Sequence, residues 1–344
     1  MIQTVLGPIS EDKLGVCSSH EHIFIDMRGC VDVTGNEPPI FHEKIDMSNR
    51  AEVFSDPYAI LDNALLDGVD DAVAEMEYFK AHGGNTIVDC TLDEIGRDPV
   101  ALKEVAERSG VNIIVGCGHY YHKAHHPYVK HATVEELADE MRRDILEGIG
   151  DTGIKAGLIG EIGTSAVMSD DEKRVLAAAG RVSAETGKAI HVHTDLYTEN
   201  GFEVIDILTR EGASPDKICI DHIDVLLRPD YVRALLQRGV YVEFDNFGKE
   251  YYIRREVRNS GYGLFVHDTD RVTLLKKLID AGYGDKILVC CDLCLKNLTR
   301  TYGGWGYDHV LTNIVPMMED EGITNEQINA LLRVNPANWL CGKE

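Results

Sequence analysis

The segment GVCSSHEHIFID places two imidazoles, His20 and His22, one residue apart after a short apolar run. In a β-strand, residues i and i+2 project to the same face, so both imidazoles would point the same way. Two imidazoles arranged like this can hold one divalent metal ion. A polar strand end exposed to solvent would give the same pattern, so the rest of the chain has to decide between the two readings.

Similar side chains end other apolar runs further along the chain. They are Glu161 in AGLIGEIG, His193 in AIHVHTD, His222 in KICIDHID and Asp292 in KILVCCDL. One such residue is more often a hydrogen-bonded structural group than a ligand. Four histidines and two carboxylates at the ends of five strands are harder to explain as accident. Imidazole and carboxylate together suit zinc, and also manganese, iron or cobalt.

The elements that must position these residues repeat as a β-rich run followed by an amphipathic stretch, the pattern of βα units on a parallel sheet. Eight strands are predicted, at 15–22, 85–90, 112–118, 156–163, 189–195, 217–224, 241–248 and 286–293. Eight units in 344 residues favour a (β/α)8 TIM barrel over an open doubly wound sheet. No linker composition divides the chain, so residues 1–344 are predicted to form a single domain.

Local signals support the helices and place the loops. Capping boxes at Thr133 and Thr324 predict two helix starts, and glycines lie at several helix-to-strand joints. Four long connections follow strands, at 27–60, 119–132, 249–270 and 293–312. They are therefore expected at the C-terminal face of the barrel, where barrel enzymes keep their active sites.

Composition excludes several classes of function. The net charge of −24 argues against nucleic acid as a partner, and no apolar run is long enough for a transmembrane helix. The first residues, MIQTVLGPISEDKLG, do not resemble a signal peptide. Nine cysteines, mostly in apolar runs, favour a reducing cytoplasm. The expected partner is a small-molecule substrate, with no membrane or nucleic-acid partner.

The chain resembles the phosphotriesterase-like family of the amidohydrolase superfamily, in its phosphotriesterase-related branch. The resemblance runs nearly from end to end, through TVLGPI, HEHIFID, GEIGTS, HTD, CIDHID, YVEFDNFG, LVCCD and YGGWGYDHVLTNIVP. It implies a centre of two divalent metal ions, most often Zn²⁺, with Mn²⁺, Fe²⁺ or Co²⁺ as alternatives. The implied metal ligands are His20, His22, Glu161, His193, His222 and Asp292. Family habit also favours a homodimer.

The sequence departs from many relatives in two places. A carboxylated lysine often bridges the two metals, whereas here Glu161 stands at that position and Lys155 is assigned a structural or surface role. Because glutamate is shorter, the backbone must approach more closely, which Gly160 and Gly163 permit. The His–Asp relay of phosphotriesterases aligns with Asn246 and Val225, which puts efficient phosphotriester hydrolysis in doubt.

The implied mechanism is attack of an activated water on a carbonyl or phosphoryl centre, with Asp292 as the general acid–base catalyst. Tyr120 aligns with an aromatic pocket wall of the family. The candidate cations on the mouth loops, which suit an anionic group on the substrate, are Lys249, Arg254, Lys296 and Arg300.

Other histidines and cysteines receive structural roles. His191 lies two residues before His193 and is expected to be a hydrogen-bonded core residue. The loop GHYYHKAHHPY has four histidines, but their spacing fits no single face, so no metal site is predicted there. Cys290 and Cys291 are expected to pack in the core rather than act as nucleophiles.

The leading functional hypothesis is a metal-dependent hydrolase acting on a lactone or another carboxylic ester. An amidohydrolase of small N-acyl substrates is the second, because relatives of that kind share the YGGxGYxHxLTNxVP tail. Promiscuous phosphotriesterase activity is the third. A small-ligand-binding protein is the non-enzyme alternative, against which the complete set of six ligands argues.

Overall fold

The computed structural model describes residues 1–31, 37–259 and 264–341. The strands are β1 Ile2–Thr4, β2 Gly7–Ile9, β3 Cys17–Glu21, β4 Ile25–Asp26, β5 Leu65–Leu66, β6 Thr86–Asp89, β7 Asn112–Cys117, β8 Leu158–Gly163, β9 Ile190–His193, β10 Ile218–Ile220, β11 Tyr241–Phe244 and β12 Ile287–Val289. Parts of the predicted mouth loops, residues 32–36 and 260–263, lie outside the described residues.

Eight of these strands form one parallel sheet in the order β3-β6-β7-β8-β9-β10-β11-β12, and each corresponds to a strand predicted from the sequence. The two ends of the sheet meet. The backbone N–H of Asp292 donates to the carbonyl of His20 at 3.2 Å, and that of Cys291 donates to the Glu21 carboxylate at 3.0 Å. The predicted (β/α)8 barrel is confirmed.

The helices surround the sheet, and neighbours such as α4 and α5 pack side by side. They are α1 Arg50–Ser55, α2 Val69–Ala81, α3 Pro99–Ser109, α4 Val134–Leu146, α5 Asp170–Thr186, α6 Gly201–Arg210, α7 Pro229–Gln237, α8 Arg255–Asn259, α9 Asp268–Asp280, α10 Val315–Asp320, α11 Asn325–Asn329 and α12 Asn335–Cys341. Within the described ranges, no helix is both long and apolar enough to cross a membrane.

Local sequence signals explain where several helices begin and end. Both predicted capping boxes are present, at Thr133 and Thr324, and Ser169 forms a third with Glu172 at the start of α5. The predicted helix after Thr324 passes through a π-helical turn, Ala330–Val334, before it continues as α12. Gly187 ends α5 in the left-handed conformation at φ 69°, where a residue with a Cβ would be strained.

The barrel interior is apolar at the N-terminal end of the strands, the lower end, and polar at the C-terminal end, the upper end. The lower layer contains Cys17, Val88, Leu158 and Leu288, and the fully buried Trp339 of α12 packs beneath it. The ring of His191 lies 4.4 Å from that of Trp339 and begins the polar layer. Apolar side chains therefore fill the barrel at the N-terminal end of the strands, and the polar side chains are gathered at the C-terminal end.

The loop after β7 is fixed to the barrel wall by buried charge. The Nδ1 of His119 lies 2.6 Å from Glu94 Oε1, and its Nε2 lies 3.6 Å from Glu140 Oε2. Burial alone would lower the pKa of His119, but Glu140 and Glu94 outweigh it and raise the pKa to about 9. The folded state thus binds a proton that the unfolded chain releases near pH 6.5.

We predict that His119→Gln lowers the free energy of unfolding by up to about 3 kcal/mol at pH 6. The loss relative to wild type should shrink as the pH rises from 6.5 to about 9, because the wild-type histidine then loses its proton too. Denaturant unfolding of both proteins across this range measures the effect. His126→Gln, at an exposed ion pair with Asp93, is the control and should show a small, nearly constant difference. A pH-independent loss at His119 would contradict the assignment.

Candidate metal centre

Six side chains from the C-terminal ends of the strands meet at the mouth of the barrel. Their positions follow from the chain: Glu161 lies within β8, His193 ends β9, and the others lie within or just beyond their strands. All six are the predicted ligands, namely His20, His22, Glu161, His193, His222 and Asp292. The side chains are almost completely buried, and the most exposed of them, that of His193, is 20% exposed.

Glu161 lies at the centre of the cluster. Its Oε2 is 3.4 Å from His20 Nε2, 3.3 Å from His193 Nδ1 and 3.6 Å from His222 Nε2. Its Oε1 is 3.4 Å from His22 Nε2. Ligand atoms about 2.0–2.2 Å from a tetrahedral cation are about 3.3–3.6 Å apart, so these separations suit metal ligands.

The donor atoms fall into two groups that share Glu161. The first is His20, His22 and Glu161, and Asp292 Oδ1 adds to it at 3.2 Å from His22 Nε2. The second is Glu161, His193 and His222. One carboxylate between two sets of imidazoles is the arrangement expected for a bridging ligand.

Two buried atoms at the meeting point have no hydrogen-bond partner among the described residues. They are His20 Nε2 and Glu161 Oε2, which face each other at 3.4 Å. A buried polar atom left unpaired costs about 1–3 kcal/mol. Cations between these atoms would satisfy both, so the residues present fit a metal centre.

A second ring of polar groups orients the imidazoles through their other nitrogens. Thr91 Oγ1 lies 2.8 Å from His22 Nδ1, Glu243 Oε2 lies 3.3 Å from His20 Nδ1, and Asp245 Oδ2 lies 3.1 Å from His222 Nδ1. Such outer contacts fix the ring orientation of metal-binding histidines. None of these three contacts was predicted from the sequence, although the two acids at alternate positions of YVEFDNFG were a usable signal.

The residues given structural roles occupy them. His191 is hydrogen-bonded at Nδ1 to Asp221 at 2.7 Å and at Nε2 to the carbonyl of Ser19 at 2.8 Å. Cys290 and Cys291 are buried, and burial raises the pKa of both thiols well above the usual range. They are therefore poor nucleophiles, as expected.

The backbone is unusual at the cluster itself. His222 and Asp292 have positive φ angles of 61° and 45°, a conformation that costs non-glycine residues energy and recurs at functional sites. Gly160 has φ 114°, and a Cβ there would lie 2.3 Å from the carbonyl oxygen of His191. A Cβ on Gly163 would lie 2.2 Å from the backbone nitrogen of Tyr121. The two glycines thus permit close approach of neighbouring backbone segments around Glu161.

Charges within the cluster hold the carboxylates in their ionised form. Burial opposes ionisation of Asp292, but the Lys249 ammonium and the nearby histidines outweigh it and keep its pKa well below the usual range. Burial also opposes ionisation of Glu161, whose pKa is held low by His20 and His193. His22, despite burial, has its pKa raised to about 9 by Asp292 and Glu161. The cluster is therefore built to attract positive charge.

A cavity of about 210 Å³ opens onto the cluster. Apart from the ligands, its lining includes Ile25, Met27, Tyr58, Tyr120, Tyr121, Leu196, Asn246, Lys249, Tyr251, Phe265, Cys294 and Leu295. The hydroxyl of Tyr120 lies 3.2 Å from His193 Nδ1, and the buried Lys249 ammonium pairs with Asp292 Oδ2. The volume suits a small metabolite rather than a polymer.

The other three predicted substrate-binding cations lie elsewhere. Arg254 pairs with Glu52, Lys296 pairs with Asp62 at 2.9 Å, and Arg300 pairs with Asp308 at 2.6 Å. Each faces its own carboxylate rather than the cavity, so loop position alone was a poor guide. Of the predicted substrate-binding residues, Tyr120 and Lys249 are the two that line the cavity.

Comparison with known proteins shows which family the chain belongs to. The model of the Phosphotriesterase family matches residues 1–340. A curated N-acetyltaurine hydrolase of Xenopus tropicalis is 36% identical, over 99% of this chain and 98% of its own length. A resiniferatoxin-binding protein from Rhodobacter sphaeroides is 31% identical with a TM-score of 0.94, covering 98% of this chain and 94% of its own.

A mutant phosphotriesterase-like lactonase of Deinococcus radiodurans is 27% identical with a TM-score of 0.78, covering 99% of this chain and 100% of its own. The family match and these similarities extend over almost the whole barrel, including every strand that carries a candidate ligand. The chain belongs to the Phosphotriesterase family and is a metal-dependent hydrolase.

Proposed function

We propose that this chain is a binuclear metal-dependent amidohydrolase that cleaves small N-acyl amides carrying an anionic group, of the N-acetyltaurine type. The main support for this proposal is the buried Lys249 ammonium, which lies in the wall of the cavity that opens onto the six donor side chains. A fixed cation there suits a sulfonate or carboxylate. The full-length relatives named N-acetyltaurine hydrolase support this substrate class over the ester favoured by the sequence alone.

A lactone remains the second candidate. The structural similarity to a lactonase supports it, because lactones and amides present the same carbonyl group to the cluster. The two candidates differ in what Lys249 does. A neutral lactone has no anionic group for that ammonium to bind, whereas an anionic amide does.

In the proposed centre, His20, His22, Glu161 and Asp292 would hold one divalent ion, and Glu161, His193 and His222 would hold the other. When bound, the ions polarise the substrate carbonyl and lower the pKa of water toward about 7. Zn²⁺ is our first choice for this donor set.

The residues of the chain then manage the proton and the substrate. As water adds to the carbonyl carbon, the Asp292 carboxylate accepts its proton and passes it to the amide nitrogen, so that the C–N bond breaks and an amine leaves. The ion pair with Lys249 keeps Asp292 deprotonated before the proton is transferred. Tyr120, beside His193, closes the aromatic wall and limits access of bulk water.

Metal binding should depend on the shared carboxylate. We predict that Glu161→Gln holds at least one ion per chain fewer than wild type, because both sets of ligands lose the anion between them. Elemental analysis after dialysis against buffered Zn²⁺ measures the loss. Asp195→Asn, which alters a carboxylate just beyond β9 and outside both ligand groups, should retain the wild-type content. A fully loaded Glu161→Gln protein would rule out the shared-ligand arrangement.

Hydrolysis should also require the metals. We predict that chelation abolishes cleavage of N-acetyltaurine and that Zn²⁺ or Mn²⁺ restores it. Acetate release, followed with and without added ions, measures this. Activity that survives complete metal removal, or a preparation that cleaves lactones while leaving N-acetyltaurine intact, would count against the proposal.

Lys249 should govern selectivity for the anionic group. We predict that Lys249→Gln lowers kcat/KM for N-acetyltaurine about 10–100-fold more than kcat/KM for an uncharged N-acetyl amide, the loss expected from one charge-assisted hydrogen bond. Because the loss of the Asp292 partner affects cleavage of both substrates equally, the ratio of the two kcat/KM values measures the contribution of anion binding alone. Arg254→Gln, whose arginine is paired with Glu52, should change the ratio less than about twofold. Equal losses of kcat/KM on both substrates would show that Lys249 does not bind the anionic group.

A further inference from the structure

A second group of potential ligands lies outside the barrel mouth. The loop after β7 supplies His122 and His125, and the start of α5 supplies Asp171. The Nδ1 atoms of the two histidines lie 2.8 Å and 2.7 Å from Asp171 Oδ2. The sequence predicted no metal site in this loop because the spacing of its histidines fits no single face, whereas the structure adds a carboxylate from a segment distant in the sequence.

The hydrogen bonds of His125 leave a lone pair facing a carboxylate. Its Nε2 lies 2.7 Å from the carbonyl oxygen of Tyr120, which only accepts, so Nε2 carries the hydrogen. In a neutral ring, Nδ1 is then an acceptor, yet it faces Asp171 Oδ2. Two acceptors at this distance need a shared positive charge. A second ring proton fits the 2.7 Å separation as it stands, and a metal ion bonded to both atoms fits when they move apart to about 3.3 Å.

We propose that His122, His125 and Asp171 form a separate divalent metal site of the zinc type, with three protein ligands and an open position. The bond from His125 Nε2 to a backbone carbonyl is the outer contact that metal-bound histidines usually make. Asp171 is nearly buried, and despite that burial Ser169 and the two histidines hold its pKa well below the usual range. His125 is 0% exposed at the side chain and His122 is 46% exposed. The half-exposed imidazole of His122 provides a path of entry. Zinc needs donor separations of about 3.3 Å, so His122 would move outward and the Asp171 carboxylate would move away from His125 as the ion binds.

The site would act on the cavity through one residue. The carbonyl of Tyr120 accepts from His125, and the side chain of Tyr120 lies against His193 in the cavity wall. An ion bound by His125 would therefore hold the position of that wall. Its ligands are distinct from those around Glu161, because the two groups have no residue in common.

The test compares zinc content per chain in wild type, His122→Ala and His126→Ala after dialysis against buffered Zn²⁺. His126 lies in the same loop but pairs with Asp93, so it is the matched control. We expect His122→Ala to hold one ion fewer than wild type, with the dissociation constant of that ion raised at least about tenfold, and His126→Ala to match wild type. Since the result is a difference, it does not depend on how many ions the barrel mouth holds.

A crystal of the zinc-loaded wild type gives a readout that does not rely on a folded variant. An anomalous peak among His122, His125 and Asp171 is expected. Equal zinc content in His122→Ala and wild type, or a zinc-loaded crystal without that peak, would overturn the proposal. The imidazole of His125 would then be held by a second proton alone.

Discussion

Glu161 has to lie within contact distance of four imidazoles from three different strands, and the rest of the site depends on that placement. A buried carboxylate is costly unless its charge is balanced and its oxygens are satisfied. Here the balance comes from His20, His22, His193 and His222, which no local segment could bring together. A closed parallel barrel does so because all strand ends point to one mouth.

The same constraint explains the surroundings of the cluster. Gly160 and Gly163 allow backbone segments to approach within distances that a Cβ would forbid. Glu243 and Asp245 contact the imidazoles of His20 and His222 from inside the barrel, and Lys249 balances the charge of Asp292 from the cavity side. In the proposed function, the last of these pairs does two things: it keeps the catalytic carboxylate ionised and offers a cation to the substrate.

The sequence predicted the framework well because its signals are local. Alternating apolar runs, capping boxes at Thr133 and Thr324, and the His-x-His pattern each depend on a few adjacent residues. The mouth cations were less predictable, since Arg254, Lys296 and Arg300 find carboxylates that only the folded loops bring near. The partnership of His122 and His125 with Asp171 was missed for the same reason, because it joins residues more than 40 positions apart.

The most direct test of the account is a crystal structure of the zinc-loaded protein with anomalous data. Two peaks are expected at the barrel mouth, one on each side of the Glu161 carboxylate and both within bonding distance of it. A single peak there, no peak, or two peaks that Glu161 does not touch would contradict the claim that this carboxylate joins the two halves of the centre.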